Sequence, residues 1–179
     1  MNTIIQKIGL SILMLMPTLG FSQNSNFASP TKTETENWIL EKLNNYSKER
    51  KELLENPNPM DRWDMSSVIY NNYKFSFDGK NYLIVGYSET FYHNTTVDYV
   101  DYIPVYDIDH IYNDYDAIRI YTNSSTIKST NKNTNKTMVE GVSNIGFRTN
   151  AETNLVKRLE AAFNHLKMFY SKPVNNEVF

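Results

Sequence analysis

The sequence has no cysteine, and this absence excludes several kinds of site at once. A chain without thiols forms no disulfide, no thiolate metal site and no lipid-modified cysteine. Glycine is also scarce, with 6 residues among 179, and neither a glycine-rich phosphate loop nor a Gly-x-Ser-x-Gly turn occurs. These absences count against nucleotide chemistry and leave stability to an ordinary apolar core.

The chain also lacks an excess of charge of either sign. Its 18 Lys and Arg residues nearly balance its 20 Asp and Glu residues, which gives a formal net charge of -2. This balance argues against nucleic acid and anionic membranes as general partners. Tyrosine is plentiful, with 13 residues, and together with abundant Asn and Thr it favours pleated strands and polar loops over a helical bundle.

The longest apolar run lies at the N-terminus and has the three parts of an export signal. Lys7 supplies positive charge, residues 8–21 form the apolar region, and the small residues Gly20 and Ser22 precede a cleavage point before Gln23. The run contains a proline and is shorter than the roughly 20 apolar residues of a membrane-spanning helix. We therefore predict an exported protein, periplasmic or extracellular, that is soluble after cleavage and has no stable membrane insertion.

The predicted organisation has four parts. Residues 1–22 are the signal peptide, 23–32 a flexible lead-in, 33–172 a single α+β domain and 173–179 a tail. We predict a bent antiparallel sheet or small barrel, with an N-terminal helix and a C-terminal amphipathic capping helix.

The two predicted helices each begin with a capping-box spacing. Thr33 and Glu36 open the first, whose apolar stripe continues to Leu53 and which ends at the Asn-Pro-Asn-Pro segment 56–59. Thr149 and Glu152 open the second, which extends to Tyr170. Its apolar side is formed by Leu155, Leu159, Ala162, Phe163, Leu166 and Phe169.

Between the helices the hydrophobic period is two. Asp78-Gly79 is typical of a two-residue hairpin turn, and this turn would place Phe75 opposite Tyr82 and Tyr73 opposite Ile84. Further strands are predicted at 87–92, 97–105, 117–122, 126–130 and 138–148. The acidic stretch 107–116 is predicted as a connection and 131–136 as an exposed hairpin tip.

One segment resembles a known domain family. Residues 103–111, Ile-Pro-Val-Tyr-Asp-Ile-Asp-His-Ile, are similar to the strand-to-turn segment of pleckstrin-homology-like and GRAM-like domains, and the closing segment 152–170 resembles their capping helix. Asn-Trp-Ile at 37–39 and Ala-Phe-Asn-His-Leu at 162–166 resemble small exported proteins of Bacteroidetes-type bacteria. The resemblance implies a non-catalytic scaffold that presents a groove or face to a ligand.

The tract from Asp98 to Asp116 is the most unusual part of the sequence because it alternates Tyr and Asp. Exposed tyrosines could stack on a glycan or peptide while carboxylates accept hydrogen bonds. The other interpretations are calcium binding through Asp107 and Asp109 or through Asp114 and Asp116, catalysis by two carboxylates, and solvated turns beside core residues. The predicted ligand-binding residues are Tyr99, Tyr102, Tyr106, Asp107, Asp109 and Tyr112.

No catalytic residue, metal or cofactor is predicted. The calcium-loop pattern lacks its turn glycine and closing glutamate, and the three histidines have no shared short spacing. We therefore predict a non-enzymatic exported binding or accessory module for an unknown protein, peptide or glycan. The alternatives are a small exported hydrolase acting on glycan or peptide through residues 98–116, and an envelope-located inhibitor or immunity-type protein.

Cleavage of the leader is directly measurable. When the full chain is expressed in a Gram-negative host, the exported protein should begin at Gln23, because the small residues Gly20 and Ser22 define the cleavage point. N-terminal sequencing tests this, and Ser22→Arg should retain the leader. A mature protein that still begins at Met1 would contradict the prediction.

Overall fold

The computed structural model describes residues 29–53, 67–91 and 94–170. Within them the elements are α1 (Lys32–Tyr46), β1 (Arg50–Leu53), β2 (Ser67–Phe77), β3 (Tyr82–Phe91), β4 (Thr96–Pro104), a 3-10 turn (Val105–Asp107), β5 (Ile108–Asp114), β6 (Ala117–Thr122), β7 (Ile127–Asn131), β8 (Thr137–Glu140), β9 (Val142–Gly146) and α2 (Leu155–Leu166). The fold is α+β, as predicted. The predicted leader, the 56–59 helix end and the tail lie outside the described residues.

The strands form two antiparallel sheets. The larger has six strands in the order β1-β2-β3-β4-β7-β8, and the smaller has three in the order β5-β6-β9. Among the described strands the sheets do not close into a barrel, so the predicted barrel alternative is absent there. Neither described helix combines the length and apolar character that crossing a bilayer requires.

The chain after α1 lies directly against the end of β9. Ser47 forms an isolated bridge with Phe147, and the Lys48 amide donates to the Gly146 carbonyl at 2.9 Å. A Cβ atom at Gly146 would lie 2.2 Å from the Lys48 carbonyl oxygen, so a side chain there would separate the two segments. This close approach connects the beginning of β1 to the smaller sheet.

The apolar core fills the space between the sheets and the helices. Its fully buried side chains come from both sheets, from both helices and from the segment after β9. They include Ile39, Leu43, Leu83, Val85, Ile103, Ile118, Ile120, Ile145, Phe147, Leu159 and Phe163. Removing each from water contributes about 1.5 to 3 kcal/mol before chain entropy is counted.

The first helix begins two residues before the predicted position. Thr31 is its N-cap and Glu34 completes the capping box, with the Thr31 amide donating to Glu34 Oε2 at 2.8 Å. Thr33 and Glu36 have the same spacing, but Glu36 instead accepts a hydrogen bond from the Tyr170 hydroxyl. The predicted start was wrong because the sequence offers two overlapping capping boxes. The Glu36 carboxylate of the second box binds the distant Tyr170 hydroxyl and so does not cap the helix.

The first helix is also shorter than predicted. It ends at Tyr46, where the Ser47 amide donates to the Leu43 carbonyl. Leu53, which was predicted to be in this helix, belongs to β1. Pairing of β1 with β2 and of residues 46–48 with β9 replaces the helical hydrogen bonds.

The β2–β3 hairpin forms with a different register from the one predicted. Phe75 pairs with Val85 and Ser76 with Ile84, because residues 78–81 form a longer loop than two residues. The Asp78 carboxylate accepts backbone hydrogen bonds from Lys80, Asn81 and Tyr82, at 2.8 to 2.9 Å. These three bonds stabilise the wider loop.

Three predicted segments are divided differently in the structure. The acidic stretch 107–116, predicted as a connection, contains β5, because Ile108 and Ile111 face the core while polar residues face outward. The predicted strand 138–148 is two strands in different sheets, separated at Gly141. The 131–136 hairpin tip is confirmed, with the Asn131 side chain accepting two backbone hydrogen bonds.

The predicted second capping box is wrong. Helix α2 begins at Leu155 after Asn154, whose φ is 54°, while the Thr149 hydroxyl donates to the Tyr115 carbonyl. Glu152 instead accepts from Lys42 at 2.8 Å, from Tyr46 and from Arg158, so it joins the two helices. These contacts with two cations and a hydroxyl replace the local cap.

Most of the predicted α2 stripe is confirmed. Leu155, Leu159, Phe163 and Leu166 are buried, whereas Phe169 lies beyond the helix and is 43% exposed.

Truncating the centre of this stripe should destabilise the fold. Leu159→Ala should cost roughly 2 to 5 kcal/mol of unfolding free energy, because Leu159 is fully buried in the core. Urea denaturation measures this. Lys157→Ala on the exposed side of the same helix is the control and should change stability by less than about 0.5 kcal/mol. Equal effects of the two variants would contradict the docking of α2.

Candidate functional site

The inner face of the larger sheet changes character along its strands. At one end it is apolar, with Leu83 and Ile103 paired across β3 and β4. At the other end tyrosines and charged groups replace the aliphatic residues. We call this polar part the acid–tyrosine face. It comprises Arg50, Tyr70, Tyr73, Tyr87, Glu89, Tyr99 and Asp101, with Glu52 and Glu140 at its borders.

Four tyrosine rings cluster on this face, with Tyr87 and Tyr99 stacked on each other, and we call this cluster the tyrosine floor. The Tyr87 ring lies 6.2 Å from the rings of Tyr70 and Tyr73 and 5.6 Å from that of Tyr99, measured between centroids. A bulge between Asn71 and Lys74 changes the alternation of β2, so Tyr70 and Tyr73 share a face although they are three residues apart. The Gly146 amide donates to the Tyr73 hydroxyl at 3.1 Å and holds that ring in position.

Asp101 is a buried carboxyl group next to the tyrosines, with 3% of its surface exposed. Ser143 Oγ, from the smaller sheet, donates to Asp101 Oδ2 at 2.7 Å. Oδ1 is also buried and, by distance and angle, has no hydrogen-bond partner among the described residues, although the hydroxyls of Ser129 and Tyr87 lie near the carboxyl group. Burial raises the pKa of Asp101, and the nearby hydroxyls of Ser143, Ser129 and Tyr87 only partly oppose this.

Two further carboxyl groups on this face have raised pKa values. Burial raises the pKa of Glu89 to about 7; the Tyr99 hydroxyl opposes the shift, and the charges of Asp101 and Glu140 add to it. Burial, followed by repulsion from Asp101, also raises the pKa of Glu140. The carboxyl groups of this face therefore disfavour one another's ionisation.

Arg50 is the cation of this face. It is 9% exposed, and its Nη2 lies 3.0 Å from Glu52 Oε2. Its guanidinium carbon is 5.4 Å from the centre of the Tyr70 ring, a cation–π contact. Arg50 Nη1 is buried without a hydrogen-bond partner in the described part of the chain.

The strand pairing places the two central carboxyl groups at opposite ends of one tyrosine pair. Tyr87 and Tyr99 are direct partners, and each is followed two residues later by an acid, Glu89 or Asp101. Because β3 and β4 are antiparallel, these acids extend in opposite directions, with Cα positions about 13 Å apart along the strands. An aromatic floor with a carboxyl group at each end suits an extended ligand.

The six residues predicted as a ligand site do not come together. Tyr99 lies on the acid–tyrosine face, whereas Tyr102 lies on the opposite side of β4, against Tyr82 and a shallow depression of about 270 Å³. Tyr112 is exposed beside a separate depression of about 570 Å³ near the start of α2.

The other three predicted residues lie near the 3-10 turn. Tyr106 packs partly against the core, and Asp107 accepts a hydrogen bond from Thr126. Asp109 is exposed and contacts His110 at 2.7 Å.

The remaining acids of the 98–116 tract are also separated. Asp98 accepts from Ser88, Asp114 pairs with Arg119, and Asp116 pairs with Lys48. No group of three or more metal-ligating side chains occurs within the described residues. The tract therefore contributes one tyrosine and one carboxyl group to the acid–tyrosine face.

Sequence reasoning missed most of this face, including Arg50, Tyr87 and Glu89. One signal was present: the spacing Tyr-x-acid occurs at Tyr87-Ser88-Glu89 and again at Tyr99-Val100-Asp101. In two strands this spacing places each acid on the same face as its tyrosine.

The raised pKa of Glu89 predicts a pH-dependent stability. The folded protein holds a proton on Glu89 up to a pH of about 7, whereas the ordinary glutamate value is 4.5. This contribution to stability is full below pH 4.5 and is lost as the pH rises through 7, and Asp101 and Glu140 act in the same direction. The unfolding free energy should therefore be higher at pH 5 than at pH 8, by on the order of 1 kcal/mol after solvent screening.

Urea denaturation at several pH values measures this dependence. Glu89→Gln should reduce the difference, and Glu49→Gln, at an exposed position of the same charge, should not. An identical pH dependence in Glu89→Gln and the unchanged protein would contradict the assignment.

Comparison of the chain with protein-family models, with curated proteins and with solved structures gave no match. The likeness to pleckstrin-homology-like domains and to exported bacterial proteins stays a prediction.

Proposed function

We propose that the protein is a non-enzymatic, exported binding module whose ligand contacts the acid–tyrosine face. One observation carries this proposal: an acceptor, Asp101 Oδ1, and a donor, Arg50 Nη1, are both buried beside the tyrosine floor without a hydrogen-bond partner among the described residues. Leaving a buried polar atom unpaired costs about 1 to 3 kcal/mol. A ligand that supplies the missing partners would recover that free energy on binding.

The arrangement favours binding over catalysis. Glu89 and Asp101 extend in opposite directions from the Tyr87–Tyr99 pair, with Cα positions about 13 Å apart along the strands, and this register does not by itself place both carboxyl groups on one scissile bond. Of the described histidines, His110 stacks on Tyr121 and His165 contacts Phe169, both away from this face. The hydrolase alternative would gain support from turnover of a glycan or peptide.

Two variants of one strand test where the ligand binds. Tyr99 and Tyr102 are both partly exposed on β4 but face opposite sides of the sheet. Tyr99→Ala should abolish probe-induced NMR shifts on this face, and Tyr102→Ala should leave them intact. Suitable probes are maltotriose, acetyl-triglycine amide and 1,5-diaminopentane.

The NMR experiment has one result that supports the proposed function and three that contradict it. At least one probe class should shift the amide resonances of Tyr87, Tyr99 and Asp101 in the unchanged protein. Shifts confined to the residues around Tyr102, or no shift with any probe, would overturn the proposed site. Hydrolysis of a probe would overturn the non-enzymatic assignment.

A further inference from the structure

We infer that the acid–tyrosine face binds an organic cation, a primary ammonium group carried on an aliphatic stem. This inference rests on the proposed function and adds the chemical class of the ligand. Four carboxyl groups share this face or its borders with a single cation of the described residues, Arg50; the four acids are Glu52, Glu89, Asp101 and Glu140.

The single cation is already paired. Arg50 contacts Glu52, and among the described residues no Lys, Arg or His forms an ion pair with Glu89, Asp101 or Glu140. Within the part of the chain that the structure describes, these three carboxyl groups thus have no cationic partner. A bound cation would favour the ionised form of these carboxyl groups and balance its negative charge, whereas an anionic ligand would add to their repulsion.

Asp101 gives the cation a specific contact. An ammonium group carries three hydrogen-bond donors, and no donor of the described residues meets hydrogen-bond geometry at the buried Oδ1 atom. A charge-assisted hydrogen bond at a buried carboxylate is stronger than a neutral one. Ser143 already holds the other oxygen at 2.7 Å, so the carboxyl group is oriented before the ligand arrives.

The tyrosine floor suits the remainder of such a ligand. Electron-rich ring faces attract cations, as the contact of Arg50 with Tyr70 at 5.4 Å shows within the same face. Tyr87 and Tyr99 stack on each other, so methylene groups of a ligand would pack against the ring surface that this pair leaves uncovered. Arg50 Nη1 then offers one donor to a carbonyl at the far end of the stem.

A neutral sugar is less well matched to these groups. Its hydroxyls could donate to Asp101 and stack on the rings, but they would not neutralise three carboxyl groups in one partly buried region. The charge of the face therefore favours the ammonium group.

Calorimetric titration with three probes tests the inference. The free diamine is 1,5-diaminopentane, the peptide-borne amine is acetyl-Gly-Lys-Gly-amide, and the neutral control is the same peptide with its lysine acetylated. The lysine peptide should bind and the acetylated peptide should not. Comparison of the peptide with the diamine then distinguishes a protein-derived ammonium group from a free polyamine.

The effects of substitutions and of pH on amine affinity test whether the amine binds at the acid–tyrosine face. Asp101→Asn should weaken binding about tenfold or more, because an amide cannot provide the charge. Glu49→Gln should leave the affinity unchanged. Binding should be tighter at pH 8 than at pH 5, since Glu89, with a pKa of about 7, must ionise to attract the cation. Glu89→Gln should reduce that pH difference, and circular dichroism checks that both site variants fold.

The failure of this inference differs from the failure of the proposed function. If maltotriose or acetyl-triglycine amide shifts the Tyr87 and Tyr99 resonances while neither amine binds, the cation assignment is wrong and the binding face stands. Amine binding that persists unchanged in Asp101→Asn and at pH 5 would also overturn the cation assignment. If no probe of any class reaches this face, both are wrong.

Discussion

The apolar core shared by the two sheets and the two helices is the constraint on which the other features depend. Ile103 of the larger sheet, Ile118 of the smaller sheet and Phe163 of α2 all belong to it. Its packing places the apolar end of the larger sheet's inner face against the smaller sheet, and so fixes the position of Asp101 relative to Ser143. Because dense packing has few voids, neither sheet can shift without disturbing the other.

Asp101 marks the boundary at which this core becomes polar. On one side the paired residues are aliphatic, and on the other they are tyrosines and acids. A carboxyl group at such a boundary is costly when ionised, so burial favours the protonated form. The same burial makes the group responsive to a charged partner, since a nearby cation would favour ionisation. The removal of the Asp101 carboxyl group from water thus both lowers the stability of its ionised form and makes it responsive to a bound cation.

Sequence patterns predicted correctly those elements that depend on interactions between residues close together in the chain. The α2 stripe and the polar hairpin tip at 131–136 were found because periodicity and composition act within a few residues. Strand β5 was missed because a bulge between Ile108 and His110 interrupts its alternation. The acid–tyrosine face depends on the pairing of β3 with β4 and on the bulge before Lys74, and neither can be obtained from a single strand.

Gly141 is the one residue between β8, in the larger sheet, and β9, in the smaller. A connection this short does not let one sheet open while the other keeps its geometry. Local unfolding of one sheet should therefore destabilise the other. The two sheets should unfold as a single cooperative unit and not as two separate ones. Within the acid–tyrosine face, Asp101 and Tyr73 come from the larger sheet and accept hydrogen bonds from Ser143 and Gly146 of the smaller, so these two groups are protected from partial opening of either sheet.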